Sequence, residues 1–115
     1  MGGFTTKGPI TQERAEQATE WLVHNAKGAA VARAHKDRCE NRLRVVKSLA
    51  MKACGQSSVA AQEREAYAST EYQDAVDELF HATVEYEELY ATRLAAQEVI
   101  TVWRSINTNL RASQI

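Results

Sequence analysis

The chain has almost no backbone punctuation. Its 115 residues include one proline and five glycines, which leaves few places for tight turns and argues against a many-stranded sandwich or barrel. Only two cysteines occur, Cys39 and Cys54. Two thiols do not make a disulfide framework, and they read as reduced. No apolar run reaches the roughly 18–20 residues that span a bilayer, so no membrane partner is expected. The leader MGGFTTKG has no apolar signal-peptide core, and the expected location is cytoplasmic, in the host cell if the chain is phage-encoded. Glycine-rich phosphate loops are missing, as is any nucleophile with a base at usable spacing. The reading is therefore of a non-enzyme that needs no cofactor.

Three sparse motifs touch on chemistry. Gly2 and Thr6 fit the N-myristoylation pattern, which is short and common. His35 and Cys39 stand four apart, but two ligands do not close a zinc site and no second pair is apparent; a partly buried histidine is the simpler reading. Glu78-Ala-Thr-His81 has the Glu-x-x-His spacing of di-iron bundles. That centre needs a second such motif and two further carboxylates, and the second motif is missing, so no metal is expected.

What the chain does have is helix-forming sequence. Ala, Glu, Gln, Arg and Leu, all good helix formers, make up 54 of the 115 residues, and 44% hydrophobic with 25% charged residues is a globular balance. Residues 1–10 read as a flexible arm and 11–115 as one helical domain. Thr11 suits an N-cap, with Glu13 and Glu16 in the first turns. Ala15, Ala18, Leu22 and Ala26 then form a stripe beside Trp21, and Gly28 is a place to break or bend it. Ala32, His35, Cys39, Leu43, Val46, Ala50 and Ala53 step by three and four, as a narrow helical seam does.

Gly55 suits a C-terminal cap, Ser57 or Ser58 an N-cap, and Val59 to Ala68 a short helix. A new start falls at Ser69-Thr70-Glu71. From Tyr72 through Val76, Leu79, Thr83, Tyr86, Tyr90, Arg93, Ala96, Ile100, Trp103 and Asn107 to Leu110 the three-four stepping runs on unbroken. The expected fold is all-α: a long antiparallel helical hairpin, with a short leading helix and a short helix at the bend. Such a hairpin leaves apolar surface open. Self-association with coiled-coil-like packing is expected through Ala96, Ile100, Trp103, Ile106 and Leu110.

The net charge of -1 hides a division. From Lys27 to Lys52 eight cations face two carboxylates, a net +6; from Glu63 to Glu98 ten carboxylates face two cations, a net -8. At about 100° per residue, Arg33, Lys36, Arg44 and Lys47 border the Cys39-Leu43-Val46-Ala50 seam on one flank. Arg38, Arg42 and Lys52 border it on the other. The cations either pair with the acidic helix or keep a flank free for phosphates. The candidate nucleic-acid-binding set is Arg33, Lys36, Arg42, Arg44, Lys47 and Lys52. Trp21, Tyr67, Tyr72, Tyr90 and Trp103 are candidates for base stacking, although at helical spacing they also suit a core.

Several short stretches together resemble a known family. They are Glu20-Trp21-Leu22, Ala53-Cys54-Gly55, Arg64-Glu65-Ala66-Tyr67, Glu71-Tyr72, Ala95-Ala96, Ile100, Val102-Trp103-Arg104-Ser105 and Asn109-Leu110-Arg111-Ala112. In this order, over roughly residues 15 to 112, they resemble small helical phage proteins related to the UvsY recombination mediator. The resemblance implies oligomers that bind single-stranded DNA and help load a recombinase onto DNA covered by single-strand binding protein. It implies that Arg42, Arg44, Lys47 and Lys52 serve DNA binding and that the C-terminal helix serves assembly. The acidic third segment and the lack of a tight Lys-x-Arg pair depart from the family pattern. A rival reading is a protein-binding helical module, an inhibitor or adaptor of a host factor, whose acidic stretch Glu71 to Glu88 mimics nucleic acid.

Overall fold

The computed structural model describes residues 8–114; the Gly2 and Thr6 lipidation pattern lies outside them. Those residues form three α-helices and no strand: α1 (Gln12–Ala53), α2 (Val59–Ala68) and α3 (Thr70–Ser113). Each boundary has a local cause. The Arg14 amide donates to Thr11 Oγ1 at 3.2 Å, so Thr11 caps α1. Gly55, at φ 76°, takes the left-handed position that ends α1. Ser58 Oγ accepts from the Ala61 amide at 3.1 Å and opens α2. Ser69 joins two helices: its hydroxyl donates to the Ala66 carbonyl at 2.7 Å and accepts from the Tyr72 amide at 3.2 Å.

One expectation fails. The leading helix is not separate, because α1 runs unbroken through Gly28 for 42 residues. A mid-helix glycine costs only about 0.5–1 kcal/mol, and the alanines that follow it favour helix. The leading helix is thus the first part of α1.

The chain divides into two compact units, and each long helix contributes to both. One unit joins the chain up to Ala29 with the chain from Glu88 onward. Its core is Ala18, Ala96 and Val99, against which Ile10, Trp21, Leu22, Ala95 and Ile100 pack. Trp103 lines a groove with Gln12, Ala15 and Glu16, whereas Arg93 and Gln97 line one with Trp21, Leu22 and Ala29. As α1 numbers rise, α3 numbers fall, so the two segments are antiparallel. The Arg14 guanidinium donates to the Gly8 and Pro9 carbonyls, which ties the chain just before α1 to its first turn.

The other unit is Ala30–Glu87. Lys36 meets Tyr86, and Arg42 meets Glu78, again antiparallel. This is the expected helical hairpin, with α2 at its bend. Its buried residues are all small: Ala32, Cys39, Ala66, Ala75 and Ala82. Ala75 and Ala82 sit seven apart on α3, one position from the expected Val76 and Thr83. The seam is drawn by alanines, and the larger Tyr72, Val76, Leu79 and Thr83 line its edge half-buried. Two helices meeting on alanine approach closely, and close approach lifts bulky neighbours onto the flanks.

Candidate nucleic-acid interface

The cations of α1 flank the Ala32–Cys39 seam in Ala30–Glu87, and the two flanks have different neighbours. On the first, Lys36 Nζ lies 5.5 Å from the centroid of the Tyr86 ring and 3.3 Å from Glu40. Lys47 Nζ lies 4.9 Å from the centroid of Tyr67 and 3.8 Å from Glu63. Tyr67 meets Tyr72 edge-on, with ring centroids 5.2 Å apart. The lysine stems are half-buried beside the seam while their ammonium groups sit by tyrosine faces. The Tyr67 side chain, then the nearby Glu63 carboxylate, raises the Lys47 pKa above its usual value. That lysine stays charged throughout the neutral range.

Arg33 and Arg44 lie farther out on this same flank, both exposed. Arg44 donates to Asn41 Oδ1 at 3.3 Å. Neither arginine has a carboxylate partner among the described residues. Across the seam, α3 presents Tyr72, Val76, Leu79, Thr83 and Tyr86 to this side. The result is a face of four cations with aromatic rings between them; Glu40 and Glu63 are engaged by the two lysines, and exposed Glu87 lies on the same side of α3 as Val76 and Thr83.

The second flank is bipolar. Arg42 Nε pairs with Glu78 at 3.4 Å, and both side chains are largely exposed. Arg38 and Lys52 have no carboxylate partner among the described residues. Beside them α3 turns Glu71, Asp74, Glu78 and Glu85 to solvent. The expected six-residue set therefore divides. Arg33, Lys36, Arg44 and Lys47 share the aromatic face, and Arg42 and Lys52 stand next to a row of carboxylates.

No protein-family model, curated protein or solved structure matches this chain.

The remaining candidates fall into place around it. Trp21 packs on the core of its unit and Trp103 is half-buried beside Gln12. Cys39 Sγ lies 3.9 Å from His35 Nε2, but no group of three metal-ligating side chains forms among the described residues. No described helix is long and apolar enough to cross a membrane. Of the residues expected to drive self-association, Ala96 is fully buried against its own unit and Ile100 packs on that core. Trp103 is half-buried, and Ile106 and Leu110 are exposed. Sequence reasoning missed the placing of Lys36 on Tyr86 and of Lys47 on Tyr67. Nothing in the linear pattern carries it, because it depends on the register between helices.

Proposed function

We propose that this protein is a non-enzymatic module that binds single-stranded DNA along the face carrying Arg33, Lys36, Arg44 and Lys47. The observation behind this is the separation of charge. The α3 carboxylates Glu71, Asp74, Glu78 and Glu85 face the opposite side, so phosphates on the aromatic face meet four cations against Glu40, Glu63 and Glu87, the first two already engaged by the lysines. The half-exposed ion pairs of the lysines remain in contact with solvent and are worth about 1 kcal/mol each, so exchanging a carboxylate for a phosphate costs little. Tyr67, 42% exposed beside Lys47, gives bases ring surface to stack on, worth about 1–3 kcal/mol per base in single-strand binders. No base-reading pattern is present, and the binding is without sequence preference. The resemblance to UvsY-related mediators extends this to a recombination accessory role. A recombinase or single-strand binding protein is then the protein partner, and the protein assists recombinase loading.

Fluorescence anisotropy with a labelled oligonucleotide tests the reading. Four phosphate contacts give a log–log salt slope of about -3, so binding falls roughly fiftyfold between 50 and 200 mM salt. R33A/R44A weakens binding roughly tenfold and lowers the slope. R104A/R111A, the same charge change elsewhere, leaves it nearly intact. No binding at low salt, or equal losses from both double variants, defeats the proposal.

A second reading has its own support. Val31, Val45 and Leu49 are 58%, 56% and 62% exposed on the bipolar flank, which suits a protein partner. Co-purification of a host protein without any oligonucleotide binding would favour that adaptor or inhibitor role, with the acids of α3 in the place of nucleic acid.

A further inference from the structure

The bipolar face of Ala30–Glu87 is built from two exposed strips. Positions 31, 35, 38, 42, 45, 49 and 52 of α1 step by four and three, and every one of them is exposed. Positions 71, 74, 78, 81 and 85 of α3 step the same way and are all exposed too. The three-four stepping is that of a helix seam that meets a partner. The first strip carries Arg38, Arg42 and Lys52 among Val31, Val45 and Leu49. The second carries Glu71, Asp74, Glu78 and Glu85. The 3.4 Å contact of Arg42 with Glu78 sets both strips on one side of the unit.

From this we infer that the face is an isologous interface with a second copy of this chain. Charge decides both the occupant and the arrangement. A two-fold axis parallel to the helices lays α1 of one copy on α3 of the other. It also keeps the level of every residue, so Arg42 of one copy comes over Glu78 of its mate. Arg38 falls between the levels of Glu78 and Glu85, and Lys52 falls near that of Glu71. A two-fold axis across the helices would instead set α1 on α1, cation against cation, and α3 on α3. The bipolar face thus complements itself in one orientation and repels itself in the other. The product is a four-helix arrangement with the aromatic, basic faces turned outward on both sides.

The size is adequate. The stretch of α1 from Ala30 to Ala53 is about 36 Å long at 1.5 Å per residue, and two helices side by side are about 20 Å wide. That gives about 700 Å² per copy, close to the roughly 800 Å² of a standard stable interface. Exposed Val31, Val45 and Leu49 supply apolar contact, and a shallow groove of ≈ 450 Å³ lined by Val46, Leu49, Ala50, Ala53 and Glu71 lets side chains interdigitate.

The experiment is light-scattering mass of the full chain without nucleic acid, which makes it independent of the DNA-binding proposal. The expected wild-type result is a dimer that weakens as salt rises. R38E/K52E makes the first strip net acidic like the second, and E71K/E78K/E85K makes the second net basic like the first. Each variant alone is expected to be monomeric and, by circular dichroism, as helical as the wild type. Mixed in equal amounts, they are expected to form a heterodimer, because each strip then meets its opposite. A wild-type mass of one chain at every concentration would assign the face to another partner and overturn the inference. So would a dimer mass that neither variant changes, or two monomeric variants that do not combine.

Discussion

The two units are built from the same pair of helices and are held together differently. The unit of the chain ends closes around Val99, Trp21, Leu22 and Ile100, with alanines at its centre. The Ala30–Glu87 unit has only alanines and a cysteine inside. Its larger side chains lie on the flanks, among lysines, arginines and glutamates. An alanine seam brings helices close but removes little apolar area from water. The unit leaves two broad flanks at the surface in consequence, and that is where its charge is sorted. Function is assigned to the unit with the smaller core for that physical reason.

The comparison can be broken most sharply at the seam. Ala82 is buried at the seam, 2% exposed. Ala82→Leu is expected to cost about 1–3 kcal/mol or more by forcing the helices apart; thermal unfolding followed by circular dichroism measures it. In the other unit the sign of the volume change is reversed. Val99→Ala removes two buried carbon groups at about 0.8 kcal/mol each, so a loss of about 1.5 kcal/mol is expected in denaturant titration. If Ala82→Leu were neutral, the seam would not be close-packed and the contrast between the units would fall.

Smaller effects sharpen the picture. Ser58→Ala removes the acceptor for the Ala61 amide at the start of α2 and is expected to cost about 1 kcal/mol. A Cβ added at Gly28 meets nothing within 4 Å, so Gly28→Ala should stabilise the protein by about 0.5–1 kcal/mol. A destabilising result there would mean that α1 bends at Gly28 after all. Least of all, Arg42→Ala breaks an exposed pair and is expected to shift the chain's unfolding by under about 1 kcal/mol, although at the proposed dimer face it would lower association.

Much of the fold is legible in the residues alone. Thr11, Gly55, Ser58 and Ser69 are chemically suited to helix ends, and each acts at one. Gly28 misleads, because a single glycine is weaker than the helix preference around it. The α3 stripe is legible to within one position. Tyr72, Val76 and Leu79 draw the eye by their size, but Ala75 and Ala82 occupy the centre, since only small residues fit where backbones come closest.

Charge shows the same limit. The net +6 of residues 27–52, the net -8 of residues 63–98 and the division of the cations into two flanks follow from composition and helical period. Which flank meets the carboxylates does not follow, because it depends on how α3 is rotated about its own axis against α1. The sequence by itself determined an all-helical hairpin, the helix caps and two basic flanks, all of which arise from interactions a few residues apart. Only the tertiary structure decided that Lys36 and Lys47 lie on tyrosines while Arg42 faces Glu78. Those contacts join residues far apart in the chain, and their register is set by packing.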